Sequence, residues 1–342
     1  MKKQASYFPA EWEPQSGVQL TWPDEQTDWV SMLDEVIPVY EQIAREILAR
    51  EKLLIVCRDK SQLPAFLQDK NDQLIICEMP INDTWARDHA ALTILENGKP
   101  HLLNFKFNGW GMKFAANYDN QITPNLYQQG AFNPDIKIQD LSYFTFEGGA
   151  IESNSQGCLL TTSECLLSKN RNEHLSKSAV ELIVNTSLHA EKLLWLNHGF
   201  LAGDDTDSHI DTLARFCDAR TIAYVKCTNP NDRHFDALSK METELKQLTD
   251  QNDQPFRLVA LPFPDPVHGE NGERLPATYA NFLILNKAVL LPVYDVTQDT
   301  EAIETMTTLF PGREIIPINS CPLIKQHGSI HCISMQFPEG VL

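Results

Sequence analysis

Positive charge is scarce in this chain. Lys and Arg number 28 against 46 Asp and Glu, a formal net charge of −18. Such a chain repels a phosphate backbone, so nucleic acid is not an expected partner, whereas a small cation is drawn towards it. No apolar run is long enough for a membrane span. Met1-Lys2-Lys3 leads to Glu11 and Glu13 without an apolar core, so no secretory signal is expected. The cysteines, at 57, 77, 158, 165, 217, 227, 321 and 332, include no C-x-x-C pair. That pattern fits reduced thiols in a cytoplasmic protein better than a disulfide framework. Cys321, His327, His331 and Cys332 match no common zinc spacing. Asp204-Asp205-Thr206-Asp207 opens like a calcium loop but lacks its glycine and closing glutamate. Neither metal nor cofactor is called for. Low-complexity segments are absent as well.

What is present is an ordinary globular composition, 42% hydrophobic over 342 residues, enough for a large core. The element order repeats. Gly17–Pro23 reads as a strand, followed by a helical pattern through Val30, Leu33, Ile37, Ile43 and Ile47. Pro38 inside that pattern predicts a kink or two helices. Lys52–Cys57 and Leu74–Met79 read as strands. Four hairpins follow: Ala90–Leu95 with His101–Phe107, Gly149–Ser153 with Cys158–Leu166, His209–Phe216 with Thr221–Cys227, and Ala277–Leu285 with Ala288–Tyr294. After the last three come a helix and a further strand. With the N-terminal strand–helix–strand, and a last strand around Cys332, the count is about five α/β units. Such a unit cannot bury its own apolar face, but several around an axis can. A purely parallel sheet fits less well, because tight hairpins require antiparallel pairs. Asn108–Leu141 has little periodicity and reads as a functional loop.

Polar clusters stand at the hairpin entrances. Asp88 closes Asn82-Asp83-Thr84-Trp85-Ala86-Arg87-Asp88, and Glu147 precedes Gly148-Gly149. His209 and Asp211, two apart, share a face if they lie on a strand. Cys332 is expected in the final strand, with His331 on its opposite face. If equivalent positions meet at an axis, three carboxylates, a histidine and a thiol converge. Clustered carboxylates call for a cation. A planar guanidinium supplies one, pairs with carboxylates, and carries an electrophilic carbon that a thiolate can attack. The alternative for each cluster is structural: an Arg87–Asp88 pair in a solvated turn, an Asp that satisfies its own histidine, or glycines needed only for close backbone approach.

These stretches, with Phe107-Asn108-Gly109-Trp110-Gly111, Glu147–Ser153, Gly203–Asp211 and Gly328-Ser329-Ile330-His331-Cys332, resemble the agmatine deiminases of the bacterial peptidyl-arginine deiminase family. The likeness runs from Glu11-Trp12-Glu13-Pro14-Gln15 to Cys332. It implies a pentein fold, a five-bladed α/β propeller with pseudo-fivefold symmetry, as one catalytic domain over residues 1–342. It implies hydrolysis of agmatine to N-carbamoylputrescine and ammonia, on the route to putrescine, without cofactor. Cys332 corresponds to the nucleophile that carries an amidino group, and His209 to the general acid/base. Asp88 and Asp211 correspond to the guanidinium-binding carboxylates, and Glu147 to a further contact. Trp85 and Trp110 flank the alkyl chain, and Asp205 faces the distal amine. The chain departs from the family at Met112 and Ser208, where many relatives have glycine. Rival readings are a deiminase of free or peptidyl arginine, an amidinotransferase, a cysteine protease, and a non-catalytic polyamine-binding protein. A homo-oligomer is compatible with the sequence.

Overall fold

The computed structural model describes residues 5–68 and 71–342. Its strands form five mixed sheets among the described residues. In the first, Leu92–Glu96 and Lys99–Lys106 form a hairpin, Lys137–Thr145 joins parallel to the second strand, and Ser6–Tyr7 covers an edge. Glu152–Ser153, Cys158–Thr162 and Lys192–Leu196 repeat the order, antiparallel then parallel. So do Ala214–Asp218, Thr221–Val225 and Arg257–Leu261, and then Leu283–Leu285, Ala288–Val293 and Glu314–Asn319. The fifth sheet joins the chain's two ends. Ser334–Pro338 pairs antiparallel with Gln15–Thr21, and Lys52–Cys57 and Leu74–Glu78 follow in parallel.

The parallel step needs a crossover, and helices provide it. Leu33–Leu48, Lys177–Ser187, Phe235–Leu245 and Gln298–Leu309 fill this place in four of the units. Each turns an apolar stripe inward; in the first, Val36, Val39, Tyr40, Ile43 and Ile47 are buried. That helix is single, not split. Pro38 sits on its exposed side, where water can satisfy the carbonyl that proline leaves without a donor. The middle strands are the apolar ones. Cys158–Thr162 is buried throughout, whereas the outer Arg257–Leu261 is half exposed. No helix among the described residues is long and apolar enough to cross a membrane.

The Asn108–Leu141 stretch is more ordered than its composition predicts. It holds short helices at Gly109–Met112, Asp119–Gln121 and Ile122–Gln128 before the strand from Lys137. Met112 and Ser208, the two departures from glycine, both have positive φ, 65° and 61°. A non-glycine residue there costs on the order of 1 kcal/mol, which the surrounding structure must hold.

Candidate active site

Each unit delivers one or two polar side chains just ahead of its first strand. Asp88 lies in the one-turn helix Ala86–His89, before Leu92–Glu96. Glu147 leads into the turn Gly148–Ala150, before Glu152–Ser153. His209 caps the turn Ile210–Thr212, which contains Asp211, before Ala214–Asp218. Asn281 precedes Leu283–Leu285, and Cys332 precedes Ser334–Pro338. Two expectations are corrected here. His209 and Asp211 are not on a strand, and Cys332 is not in the last one. The turns ahead of the strands carry all three, because a tight turn can aim neighbouring side chains at one point where a pleat alternates them. Asn281, the fourth unit's contribution, was not anticipated.

The point of convergence is Gly149. A β-carbon there would lie 2.5 Å from His209 Nδ1, 2.9 Å from Asp88 Oδ1 and 3.2 Å from Asp211 Oδ2. Only glycine leaves room for the three, and its own N–H donates to Asp88 Oδ1 at 3.0 Å. The other Asp88 oxygen accepts from Trp110 Nε1 at 2.9 Å. Cys332 Sγ stands 4.0 Å from Asp211 Oδ2. It also accepts from Asn281 Nδ2 at 3.2 Å, while Asn281 Oδ1 takes the Cys332 N–H at 3.3 Å.

His209 is fully buried, with Nδ1 3.7 Å from Asp88 Oδ1 and Nε2 3.7 Å from Glu147 Oε2. Neither nitrogen has a hydrogen-bond partner among the described residues. Glu147 itself is gripped by Arg171, whose Nε donates to its two oxygens at 3.0 and 2.8 Å. Glu147, Cys165 and His209 offer metal-type donor atoms within 4.8 Å of one another. The Arg171 guanidinium already neutralises that carboxylate.

Beneath lies a second charged layer. His331 bonds Asp211 Oδ2 through Nδ1 and Glu11 Oε2 through Nε2, both at 2.7 Å. Glu11 also accepts from Arg215 at 2.9 Å and from the Ile284 N–H at 2.6 Å. Arg215 reaches Glu152 and the Phe282 carbonyl. Arg87 donates to the carbonyls of both His331 and Cys332. His331 is bonded to Asp211 and Glu11, and so holds the carboxylate that stands beside the thiol.

A cavity of about 510 Å³ reaches from Cys332 and Asp88 to the exposed Phe114 and Tyr118. Trp85 and Trp110 form one wall, their rings 6.3 Å apart at 80°. Gly328 is needed there, since a β-carbon would fall 2.1 Å from the Trp85 ring. Six aspartates line the cavity, Asp28, Asp83, Asp88, Asp119, Asp204 and Asp205, against one arginine, Arg58. Arg58 Nε lies 2.9 Å from Asp24. Asp88 and Cys332 form its inner end, and Asp211, His209 and Glu147 adjoin them there.

Burial raises the Asp88 carboxyl to about 6, with Asp211 and Glu147 adding and His209 opposing. Burial opposes charge on His209, yet Asp88 and its other anionic neighbours hold it well above an ordinary imidazole. Burial, then the charges of Asp211 and Asp88, push the Cys332 thiol up. Against burial, the bond and charge of His331 keep Asp211 low. Two acids that stay charged, one poised acid, a cationic imidazole and a reluctant thiol surround one small space.

A family model described as Porphyromonas-type peptidyl-arginine deiminase matches residues 7–338. The chain belongs to that family. Among solved members of similar fold is a Porphyromonas gingivalis protein provisionally named an arginine deiminase, 49% identical, covering 98% of this chain and 99% of that one at a TM-score of 0.93. A cysteine-to-serine variant of C. jejuni agmatine deiminase with substrate bound is 34% identical, covering 98% and 97% at a TM-score of 0.92. A Vibrio parahaemolyticus protein, provisionally named an agmatine deiminase, is 33% identical over 97% of this chain and 96% of its own length.

Proposed function

We propose that this member of the family hydrolyses agmatine to N-carbamoylputrescine and ammonia through an amidino group carried on Cys332. The observation that carries the reading is the meeting of Asp88, His209 and Asp211 at Gly149, beside Cys332 and at one end of an acid-lined cavity. Asp88 and Asp211 hold the guanidinium. Its charge offsets the two carboxylates that push the thiol up, so the thiolate becomes accessible when substrate is bound. Cys332 Sγ attacks the guanidinium carbon, and a C–S bond forms. His209 gives a proton to the departing nitrogen, the C–N bond breaks, and ammonia leaves. His209 then takes a proton from water, whose oxygen adds to the same carbon. The C–S bond breaks, and the urea product and the thiol are released. Glu147, clamped by Arg171, faces His209 Nε2 and tunes that proton. Trp85 and Trp110 line the alkyl chain, and the acidic wall that includes Asp205 favours an amine tail over a carboxylate. The five sheets are, on this reading, the blades of one propeller whose axis passes through the site.

A second reading, arginine as substrate, is favoured by the provisional name of the 49% identical relative and by Arg58 on the cavity wall. Asp24 already occupies Arg58, which leaves a substrate carboxylate without a free cation there. Rates of ammonia release from agmatine, arginine and an arginyl peptide, measured side by side, test the proposal. Agmatine is expected to lead by at least about a hundredfold, the worth of one uncompensated buried charge; a lead for arginine or the peptide would reverse the substrate assignment.

A further inference from the structure

The cavity's acids are not equivalent. Asp204 is spent on its own turn, accepting from Thr206 Oγ1 at 2.6 Å and from the Ser208 N–H at 2.8 Å. Asp119 is spent too, on the N–H groups of Asn82 and Asp83 at 2.6 and 3.1 Å. Asp205 has cationic neighbours already: Lys113 Nζ sits 2.6 Å from its carbonyl, and His327 lies close enough to act on its charge. Asp83 differs. Its Oδ2 accepts from Trp85 Nε1 at 2.8 Å, but its Oδ1 is buried with no hydrogen-bond partner among the described residues. An unpartnered buried carboxylate oxygen costs free energy that a bound donor recovers.

Its placement matches that of Asp88. One indole of the tryptophan pair donates to Asp88, and the other donates to Asp83. The two rings are 6.3 Å apart. The aromatic wall thus holds a carboxylate on each of its two indoles. A guanidinium at Asp88 and an ammonium at Asp83 would lay a four-carbon linker along the indoles. Burial, with Asp28 and Asp119 adding and the Trp85 bond opposing, pushes Asp83 up to about 8. An arriving ammonium would restore its charge.

We infer that Asp83, oriented by the Trp85 indole, is the residue that selects a cationic amine tail on the guanidine substrate. The inference rests on the deiminase reading above and assigns the tail end of that same site. The reaction at the guanidinium does not involve Asp83, so tail recognition and chemistry separate in the choice of substrate. The experiment compares agmatine with n-butylguanidine, which has the same linker and no amine, in the unaltered enzyme and in Asp83→Asn. The unaltered enzyme is expected to favour agmatine. Asp83→Asn should lower kcat/KM for agmatine about 10- to 100-fold, the range for a lost charged hydrogen bond, and alter n-butylguanidine turnover by less than about threefold. The n-butylguanidine rate also reports that the variant folds. Equal losses on both substrates, or no loss on either, would overturn the assignment. So would a variant too damaged to act on n-butylguanidine if Asp83→Glu, which keeps the charge, were equally damaged. Turnover of neither guanidine by the unaltered enzyme would instead overturn the deiminase reading, and the tail assignment with it.

Discussion

Two buried histidines flank the Asp88–Asp211 pair, and their surroundings are opposite. His331 is saturated, with 2.7 Å bonds to Asp211 and Glu11 from its two nitrogens. His209 stands 3.7 Å from Asp88 on one side and from Glu147 on the other, and neither nitrogen is hydrogen-bonded to any described residue. A ring held at both ends is a strut. It fixes two carboxylates from different units, and any movement breaks charge-assisted bonds. A ring left unbonded among anions can take up and deliver a proton without first giving up a partner. The histidine next to the thiol in sequence is thus the structural one. The reactive candidate lies more than a hundred residues away and is brought in by the third unit.

Exchanging residues in the two regions should separate activity from stability. The largest expected effect is at the thiol. Cys332→Ser should lower turnover of agmatine by about 10,000-fold or more, as loss of a nucleophile does. Cys165→Ser, at the other thiol near His209, should stay within about tenfold, both read by ammonia release. His209→Asn should lower kcat by roughly a thousandfold, the scale of a lost general acid/base, with a smaller loss of stability in urea than at His331, because no hydrogen bond is broken. His331→Gln should do the reverse. It leaves Asp211 buried without its ionic partner and removes one bond from Glu11, which keeps Arg215 and the Ile284 N–H; this should cost about 3 kcal/mol in the same unfolding experiment, with a loss of only about tenfold in kcat/KM. Equal stability losses in the two variants would erase the distinction drawn here. The smallest effect is a matter of pH. Asp88 must be ionised to hold a cation, and burial has raised it to about 6. In the free enzyme it is therefore charged above that pH and neutral below it. The value of kcat/KM should fall as pH drops through about 6, approaching tenfold per unit. An acid limb that stays near the ordinary aspartate range would place the titration elsewhere.

Much of this layout could be read from residues alone, for a physical reason. Apolar runs separated by turn residues mark hairpins, and a polar residue at the entrance to an apolar strand is costly unless used. That logic picks out Asp88, Glu147, His209 and Asp211; Cys332 is expected inside the last strand and lies in the turn before it. The logic fails where a residue carries no local signal. Asn281 stands alone between Ala280 and Phe282, with no charge and no cluster, yet its amide meets the Cys332 sulfur. Treating the fourth hairpin's entrance like the others would have found it. The spacing of two at His209–Asp211 fits a pleat, whereas Ser208 at positive φ and the turn that follows bring both side chains to Gly149. Glu11, Arg171 and His331 act through partners distant in the chain. No periodicity reveals such pairs.

The covalent step is the centre of the account. The enzyme, mixed with agmatine and quenched in acid within one turnover, can be digested and weighed. The peptide containing Cys332 should gain the mass of agmatine less one ammonia, and in His209→Asn, which lacks both the acid for the departing ammonia and the base for water, the mass should be gained and lost more slowly. Rapid release of ammonia with no such adduct on Cys332 in either protein, or an adduct on Cys165 instead, would contradict it.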